Sequence, residues 1–281
     1  MDRSKACWRR ICRSGRMDDR EMRFKRLCIM FAFCSFFLYA GLIVSLAYFF
    51  RGSLFAETLF NERTFYSIRL SVSAATIATL ISLFIAIPSA YALSRCHFPG
   101  KGIIDTMLEL PMIVSPAALG AMLLIFFSNP AGSWLQQHGV QFVFAFPGII
   151  LAQFITTAGI ATRLIKAAMD EIPGKYEDVA SSLGASPLKS FLTVTLPLSK
   201  RGIIAGAILT WAKALGEFGA TITIAGSMAM KTETIPIAIF MSLSNADIER
   251  TVILIFILIG TGIGVLYGTR LLLRKMPYDW K

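Results

Sequence analysis

Two oppositely charged side chains interrupt a long apolar stretch, residues 202–227, toward the C-terminal end of the sequence. An isolated charge inside a membrane costs about 2.5–3.5 kcal/mol, so such residues require a functional or structural reason. At the helical spacing of about 100° per residue, four polar side chains fall within about 80° of one another. They form a single polar stripe made of Thr210, Lys213, Glu217 and Thr221.

Two interpretations of this stripe remain open. In the first interpretation, the stripe lines a water-filled anion pathway, in which Lys213 supplies positive charge and Glu217 prevents a dianion from binding too tightly. Alternatively, the two residues form a self-neutralising i, i+4 ion pair that only holds helices together. Arg69, with Ser73 and Thr76, forms a weaker polar stripe in an earlier apolar stretch, and we predict that it also belongs to the pathway.

The sequence carries no motif for an enzymatic reaction. A phosphate-binding P-loop, a nucleophile elbow and a pair of catalytic carboxylates within the membrane are all lacking. The five cysteines form no Cys-x-x-Cys pair and do not group with the two histidines. We therefore expect no catalytic residue, no metal site and no cofactor in this chain.

Composition identifies an all-α integral membrane protein. Of 281 residues, 55% are hydrophobic and only 16% are charged, against about 25% charged in soluble domains. A membrane-spanning helix needs about 20 mostly apolar residues. Six runs meet this length, and they predict six transmembrane helices at residues 27–50, 65–94, 103–127, 143–166, 202–227 and 251–273.

The distribution of basic residues predicts the orientation of these spans. Residues 1–26 carry ten Lys and Arg, whereas the connection 128–142 carries none. Cytoplasmic segments are rich in Lys and Arg, so both termini are expected in the cytoplasm. The net charge of +11 then reflects topology and contact with anionic lipid rather than nucleic-acid binding. The predicted organisation is a basic tail (1–26), a permease domain (27–275) and a short cytoplasmic C-terminus (276–281).

Proline and serine interrupt the third apolar run. Leu110-Pro111 and Ser115-Pro116 lie close together within it. Proline breaks or kinks a helix, so we expect a broken element near a pathway.

A charged segment with helical periodicity, about residues 167–200, separates the fourth and fifth predicted spans. Tyr176, Val179, Ala180 and Leu183 share one apolar face of a short helix. A C-cap glycine, Gly184, follows this helix. Ser186 and Pro187 then begin a second helix as N-cap and first-turn residues, and Pro197 is predicted to close the unit.

Helices this short need support, because fewer than about 12–15 residues are marginally stable alone in water. One interpretation lays them on the membrane face of the same chain as amphipathic segments. The other inserts the first helix into the groove of a partner protein.

This segment resembles the cytoplasmic loop of permease subunits of ABC importers, whose pattern is E-A-A-x3-G-x9-I-x-L-P. The matching residues are Asp178, Val179, Ala180, Gly184, Val194, Leu196 and Pro197. Asp178 keeps the carboxylate, whereas Val179 replaces a small alanine. Residues 98–120 and 214–240 are similar to the oxyanion branch of these importers, and the second stretch is most similar to molybdate permeases. The GEFG sequence at 216–219 is shared with sulfate permeases.

The resemblance implies a MetI-like permease fold and a set of partners. The first helix would be the coupling helix, which docks on an ATP-hydrolysing subunit. Its expected coupling residues are Tyr176, Glu177, Asp178, Val179, Ala180, Leu183, Gly184, Ala185, Ser186 and Pro187. The implied partners are a second permease copy, two ATPase subunits that bind ATP and Mg²⁺, and an extracytoplasmic oxyanion-binding protein.

The resemblance favours molybdate or tungstate as cargo in the inner membrane. The alternatives are a sulfate or thiosulfate permease and, in another class, an ion-coupled secondary transporter that uses Lys213 and Glu217. The coupling helix argues against the secondary transporter, because a self-powered carrier has no use for it.

Overall fold

The computed structural model describes the backbone of residues 19–50 and 52–274, and within these ranges the side chains of 24–50, 52, 55–269 and 271. The chain divides into two compact units, residues 1–50 and 51–281. The predicted basic tail, 1–26, lies largely outside the described residues, and the predicted C-terminus, 276–281, lies wholly outside them.

The first unit contains one long apolar helix, α1 (Asp19–Ala47). Its residues 24–47 have a mean hydropathy of 2.4, and their side chains are almost all exposed within this unit. Apolar side chains exposed along a helix of this length are typical of a helix that faces lipid. The helix ends three residues before the predicted end of the first span.

The second unit is built from helices alone within its described residues. In chain order they are α2 (Gly52–Leu59), α3 (Glu62–Arg95), α4 (Lys101–Ile113), α5 (Pro116–Ser128), α6 (Pro130–His138), α7 (Phe146–Asp170), α8 (Lys175–Ser182), α9 (Pro187–Ser190), a π-helical turn (Phe191–Thr195), α10 (Leu196–Leu215), α11 (Gly219–Ala225), α12 (Ile235–Ser244) and α13 (Ile248–Arg274).

Among the described residues, five helical stretches are long and apolar enough to cross a membrane. They are Phe24–Ala47, Glu62–Arg95, Phe146–Asp170, Pro187–Leu215 and Ile248–Thr269. If the bent pair α4 and α5 is counted as one further span, the number of candidate spans is six. The all-helical membrane fold predicted from composition is therefore confirmed.

Helices α3 and α7 form the most extensive packing in the second unit, and α10 lies against both. Small side chains such as Ala74 and Ala161 are fully buried at these contacts and allow the helices to approach closely. Gly159 of α7 shows how close the approach is, since a Cβ there would lie 2.0 Å from the carbonyl oxygen of Leu108 in α4. Any side chain at this position would displace α4.

The third predicted span is broken, as the proline pattern indicates. α4 and α5 meet at 110° across Val114 and Ser115. The Ser115 Oγ accepts a hydrogen bond from the amide of Ala118, and Pro116 occupies the first turn of α5. The break therefore lies at the new N-cap, whereas Pro111 is accommodated inside α4.

The prediction of one continuous helix over 202–227 is wrong. α10 ends at Leu215, and a separate short helix, α11, begins at Gly219. Glycines on both sides of Glu217 weaken the helix at this point. A Cβ on Gly219 would lie 3.0 Å from the amide nitrogen of Ala117, so this second break packs directly against the start of α5.

Candidate functional site

The predicted coupling helix is present as α8, and its C-terminal cap has the expected geometry. Gly184 adopts φ +86°, a left-handed conformation that glycine enters without steric cost. The amide of Ala185 donates to the carbonyl of Ala180 at 3.0 Å, and the amide of Gly184 donates to Ser181 at 2.9 Å. This pair of hydrogen bonds is a Schellman motif, so the predicted helix stop is confirmed.

The second predicted helix begins as expected but does not end at Pro197. The Ser186 Oγ accepts a hydrogen bond from the amide of Lys189, and Pro187 occupies the first turn of α9. The chain then continues through the π-helical turn into α10, with the amide of Leu196 donating to the carbonyl of Phe191. A π turn shifts the hydrogen-bond register by one residue and so accommodates a proline that lacks an N–H. The predicted closure at Pro197 is therefore wrong.

The apolar side chains of α8 are exposed rather than buried. The relative exposures of Tyr176, Val179 and Leu183 are 47%, 59% and 84%, and Leu188 beyond the turn is 67% exposed. We call these four residues the apolar patch. Large apolar side chains grouped at one surface mark a binding site more often than scattered ones do. The described helices of the second unit leave this patch uncovered.

Glu177 faces the membrane helices instead of the exposed side of α8. One carboxylate oxygen accepts from Arg95 Nε at 2.9 Å and from the Thr195 hydroxyl at 2.6 Å, and the other accepts from the Tyr91 hydroxyl at 3.0 Å. Only 14% of its side chain is exposed. We call Glu177, Arg95, Tyr91 and Thr195 the anchor cluster. This cluster joins α8 to the end of α3 and to the π-helical turn that precedes α10.

Arg95 extends the anchor cluster to a third membrane helix. Its Nη2 donates to the carbonyl of Met169, in the last turn of α7, at 3.0 Å and to that of Ile172, two residues beyond the end of α7, at 2.6 Å. A cation at a helix C-terminus is favoured because carbonyls there lack intrahelical partners. The anchor cluster thus connects α8 with the ends of α3 and α7 and with the π-helical turn before α10.

The surroundings of Glu177 alter the pKa of its carboxyl group. Partial burial raises the pKa, but hydrogen bonds from Thr195, Tyr91 and Arg95 and the charge of Arg95 together lower it below the ordinary value of 4.5. The group is therefore ionised at neutral pH, which is the state that the three donors require.

The other predicted coupling residues lie around the apolar patch. Asp178, Gly184, Ser186 and Pro187 are exposed, whereas Ala180 and Ala185 are half-buried. Asp178 and Glu177 both lie in the first turn of α8, where acidic side chains favour the positive end of the helix. These residues thus separate into an exposed group and one inward anchor, Glu177.

The polar stripe predicted in the fifth span is interrupted by the break after Leu215. Lys213 Nζ lies 3.1 Å from Glu217 Oε2, and Glu217 Oε1 accepts from the amide of Ala220. Glu217 is 1% exposed, so it pairs with Lys213 and caps α11 at the same time. These contacts favour the structural interpretation of the pair.

The two threonines of the stripe are fully buried. Thr210 donates to the carbonyl of Gly206 within its own helix. The Thr221 hydroxyl has no hydrogen-bond partner among the described residues. Neither hydroxyl is therefore exposed to a pathway within the second unit.

Two of the predicted pathway residues, Arg69 and Lys213, remain exposed within the second unit. Arg69 lies on α3 and lines a cavity of about 360 Å³ together with Tyr66, Leu70, Ser73 and Phe146. Unlike Lys213, Arg69 forms no ion pair with a described carboxylate. No group of three or more His, Cys, Asp or Glu side chains in the described part of the chain is arranged to hold a metal ion.

Several apolar helices long enough to cross a membrane, together with a broken span, identify a multi-pass membrane protein. A family model described as the inner membrane component of binding-protein-dependent transport systems matches residues 82–277. The chain belongs to this family, and it is a permease subunit of the ABC importer class.

Relatives of this chain include permease proteins of molybdenum and sulfate transport systems. It is 37% identical over 187 residues to the molybdenum transport system permease protein ModB of Haemophilus influenzae, covering 66% of this chain and 82% of the relative. It is 32% identical over 210 residues to the sulfate transport system permease protein CysW of Synechococcus elongatus, covering 71% and 73%.

A solved structure confirms the fold. A chain of a bacterial ABC transporter involved in the import of the acidic polysaccharide alginate superposes with a TM-score of 0.73, covering 97% of this chain and all of the other. The two sequences are 19% identical, so this similarity concerns the fold alone. The predicted permease fold is confirmed.

Proposed function

We propose that this permease forms, with a second copy of itself, the transmembrane pathway of an ATP-driven importer for a tetrahedral oxyanion, with molybdate or tungstate favoured. The proposal that ATP supplies the energy rests on the anchor cluster, which connects the helix carrying the apolar patch to the membrane helices. A short exposed helix held by an ion pair to three spans suits the transmission of force from a partner protein.

The apolar patch supplies the surface on which an ATPase subunit would dock. Tyr176, Val179 and Leu183 would enter a groove of that subunit, as amphipathic helices do in other complexes. Closure of two ATPases around ATP and Mg²⁺ would move α8, and the anchor cluster would carry this movement to α3, α7 and α10. The permease itself would hydrolyse nothing.

Sequence identity supports the choice of cargo. Molybdenum permeases of two species are 35–37% identical to this chain, and sulfate permeases are 32–33% identical. We therefore place sulfate or thiosulfate second. An extracytoplasmic binding protein would deliver the oxyanion to the side opposite α8, and the basic segments favour cytoplasmic termini.

Reconstitution in liposomes tests the cargo. The permease dimer, its ATPase and its binding protein would be assembled, and ATP hydrolysis would be measured with molybdate, tungstate or sulfate added. We expect stimulation by molybdate and tungstate at lower concentrations than by sulfate. Stimulation by sulfate alone would replace the proposed cargo with the second one.

A further inference from the structure

Five cations of the second unit form ion pairs with carboxylates, whereas Arg69, which lies within a predicted span, forms none with the described side chains. The five pairs are Arg63–Glu233, Arg95–Glu177, Arg163–Glu109, Lys166–Asp105 and Lys213–Glu217, each with a closest distance of 2.6–3.1 Å. Arg69 has no carboxylate within 4.0 Å among the described side chains. It lies seven residues into α3, which is about 10 Å along the helix axis.

Arg69 is the fifth residue of the predicted span 65–94 and its side chain is exposed within the second unit, so its guanidinium is available to a ligand that the chain itself does not supply. Tyr66, Arg69 and Ser73 recur at i, i+3 and i+7 and therefore share one face of α3. All three line the cavity of about 360 Å³, together with Phe146 at the start of α7. A single water needs only about 10–15 Å³ of such volume, so the cavity has room for a larger hydrated ion.

The side chains at this cavity match an oxyanion. A guanidinium offers a planar fork of donors that binds two oxygens of a tetrahedral anion together. The Tyr66 hydroxyl makes no hydrogen bond to the described residues and is available as another donor. Ser73 Oγ now donates to the carbonyl of Leu70 at 3.0 Å, and a χ1 rotation would turn it toward the cavity.

We propose that the Arg69 cavity is a transient binding site for a tetrahedral oxyanion in the transport pathway. Lys213 does not fill this role, because buried Glu217 neutralises it. A single guanidinium without a second cation holds a dianion loosely, which suits a site that must release its ion. The inference rests on the proposed function, since it names the contact that the cargo makes in the spans.

Replacing Arg69 by cysteine and then modifying the new thiol tests whether uptake requires a positive charge at this position. Arg69→Cys would be made in a chain whose five native cysteines are replaced by serine, and reconstituted with the ATPase and binding protein. We expect molybdate uptake to fall at least about tenfold, because a charge-assisted bidentate contact is lost. A cationic methanethiosulfonate reagent should restore much of this uptake, whereas an anionic one should not.

Lys231→Cys is the matched control, because Lys231 is an exposed cation in the segment between α11 and α12. Molybdate uptake by the Lys231→Cys variant should be similar after treatment with either reagent. Occupancy is measured separately: millimolar molybdate should slow modification of the thiol introduced by Arg69→Cys and leave the Lys231→Cys thiol unaffected. Arg69→Lys, which keeps the charge but loses the fork, should give intermediate uptake.

The phosphate of a lipid headgroup shares the chemistry of the proposed ligand, and the same experiment separates the two. If Arg69 instead contacts a lipid phosphate, uptake by the Arg69→Cys variant should not depend on the charge of the reagent. In a melting assay, added phospholipid should then stabilise the parent chain but not this variant. That result, or unchanged uptake by Arg69→Cys, would overturn the proposed site. If the parent chain took up no oxyanion, the proposed function itself would fail.

Discussion

Replacement of Glu177 by glutamine should loosen α8 from the membrane helices without unfolding them. Glutamine keeps the shape of the side chain but loses the charge that Arg95 meets at 2.9 Å. Its single oxygen can still accept from Arg95 and Thr195, while its amide nitrogen would face the Tyr91 hydroxyl. The change therefore removes mainly the ionic part of the anchor cluster.

The magnitude follows from the burial of this pair. Hydrogen bonds to charged groups are worth about 1.5–3 kcal/mol, and the Glu177 and Arg95 side chains are only 14% and 18% exposed. We expect a loss of about 2 kcal/mol in the free energy that docks α8. Since about 1.4 kcal/mol is a factor of ten, the undocked population should rise about 30-fold.

Hydrogen exchange of the α8 amides, residues 175–182, measures this population directly, because local opening controls exchange. In the assembled transporter, the same variant should transport less cargo for each ATP hydrolysed. Glu171→Gln is the matched control, since Glu171 is exposed at the end of α7 and contributes nothing to the anchor cluster. Equal α8 protection in the parent and Glu177→Gln would refute the role of this cluster.

The pH dependence of α8 docking provides a second measurement on the same pair. The pKa of Glu177 is lowered in the folded protein below its ordinary value of 4.5. The stabilisation that Glu177 contributes to α8 docking is therefore complete at pH values above this ordinary pKa. It is lost as the pH falls through the lowered pKa, when the carboxylate becomes protonated. The protection of the α8 amides, measured relative to their intrinsic exchange rates at each pH, should fall in the parent in this range, whereas Glu177→Gln should show little such change.

Two further predictions concern glycines, each with a glycine control. Gly184→Ala should weaken the end of α8 by about 1–2 kcal/mol, because alanine is strained at φ +86°, whereas Gly174→Ala at φ −57° should be neutral in the same exchange assay. Gly159→Ala should lower the melting temperature of the permease in detergent, since its Cβ would lie 2.0 Å from the Leu108 carbonyl oxygen. Gly260→Ala, with nothing within 4 Å, should not lower it, and equal effects of these two substitutions would contradict the close packing of α4 on α7.

Local signals in the sequence predicted the coupling segment well. The cap at Gly184 and the N-cap at Ser186 depend on hydrogen bonds to residues within five positions, which sequence spacing reveals. The long-range contacts of Glu177 could not be predicted in this way. Its partners Arg95 and Tyr91 lie more than 80 residues away along the chain.

Helical periodicity failed where the helix itself ends. The predicted stripe assumed a continuous helix through Glu217, but the flanking Gly216 and Gly219 were a signal of the break. Helical periodicity placed both Arg69 and Lys213 in polar stripes, and it gave no means of telling whether either cation is paired. Only the packed structure distinguishes the paired Lys213 from Arg69, because pairing depends on which helices meet.

The central claim is that this permease moves its cargo only when a separate ATPase drives it through α8. The most direct measurement compares molybdate uptake into liposomes that contain the permease alone with uptake into liposomes that also contain the ATPase, ATP and binding protein. We predict uptake only in the complete assembly, and its loss when ATP is omitted. Uptake by the permease alone, driven by a proton or sodium gradient, would contradict the account.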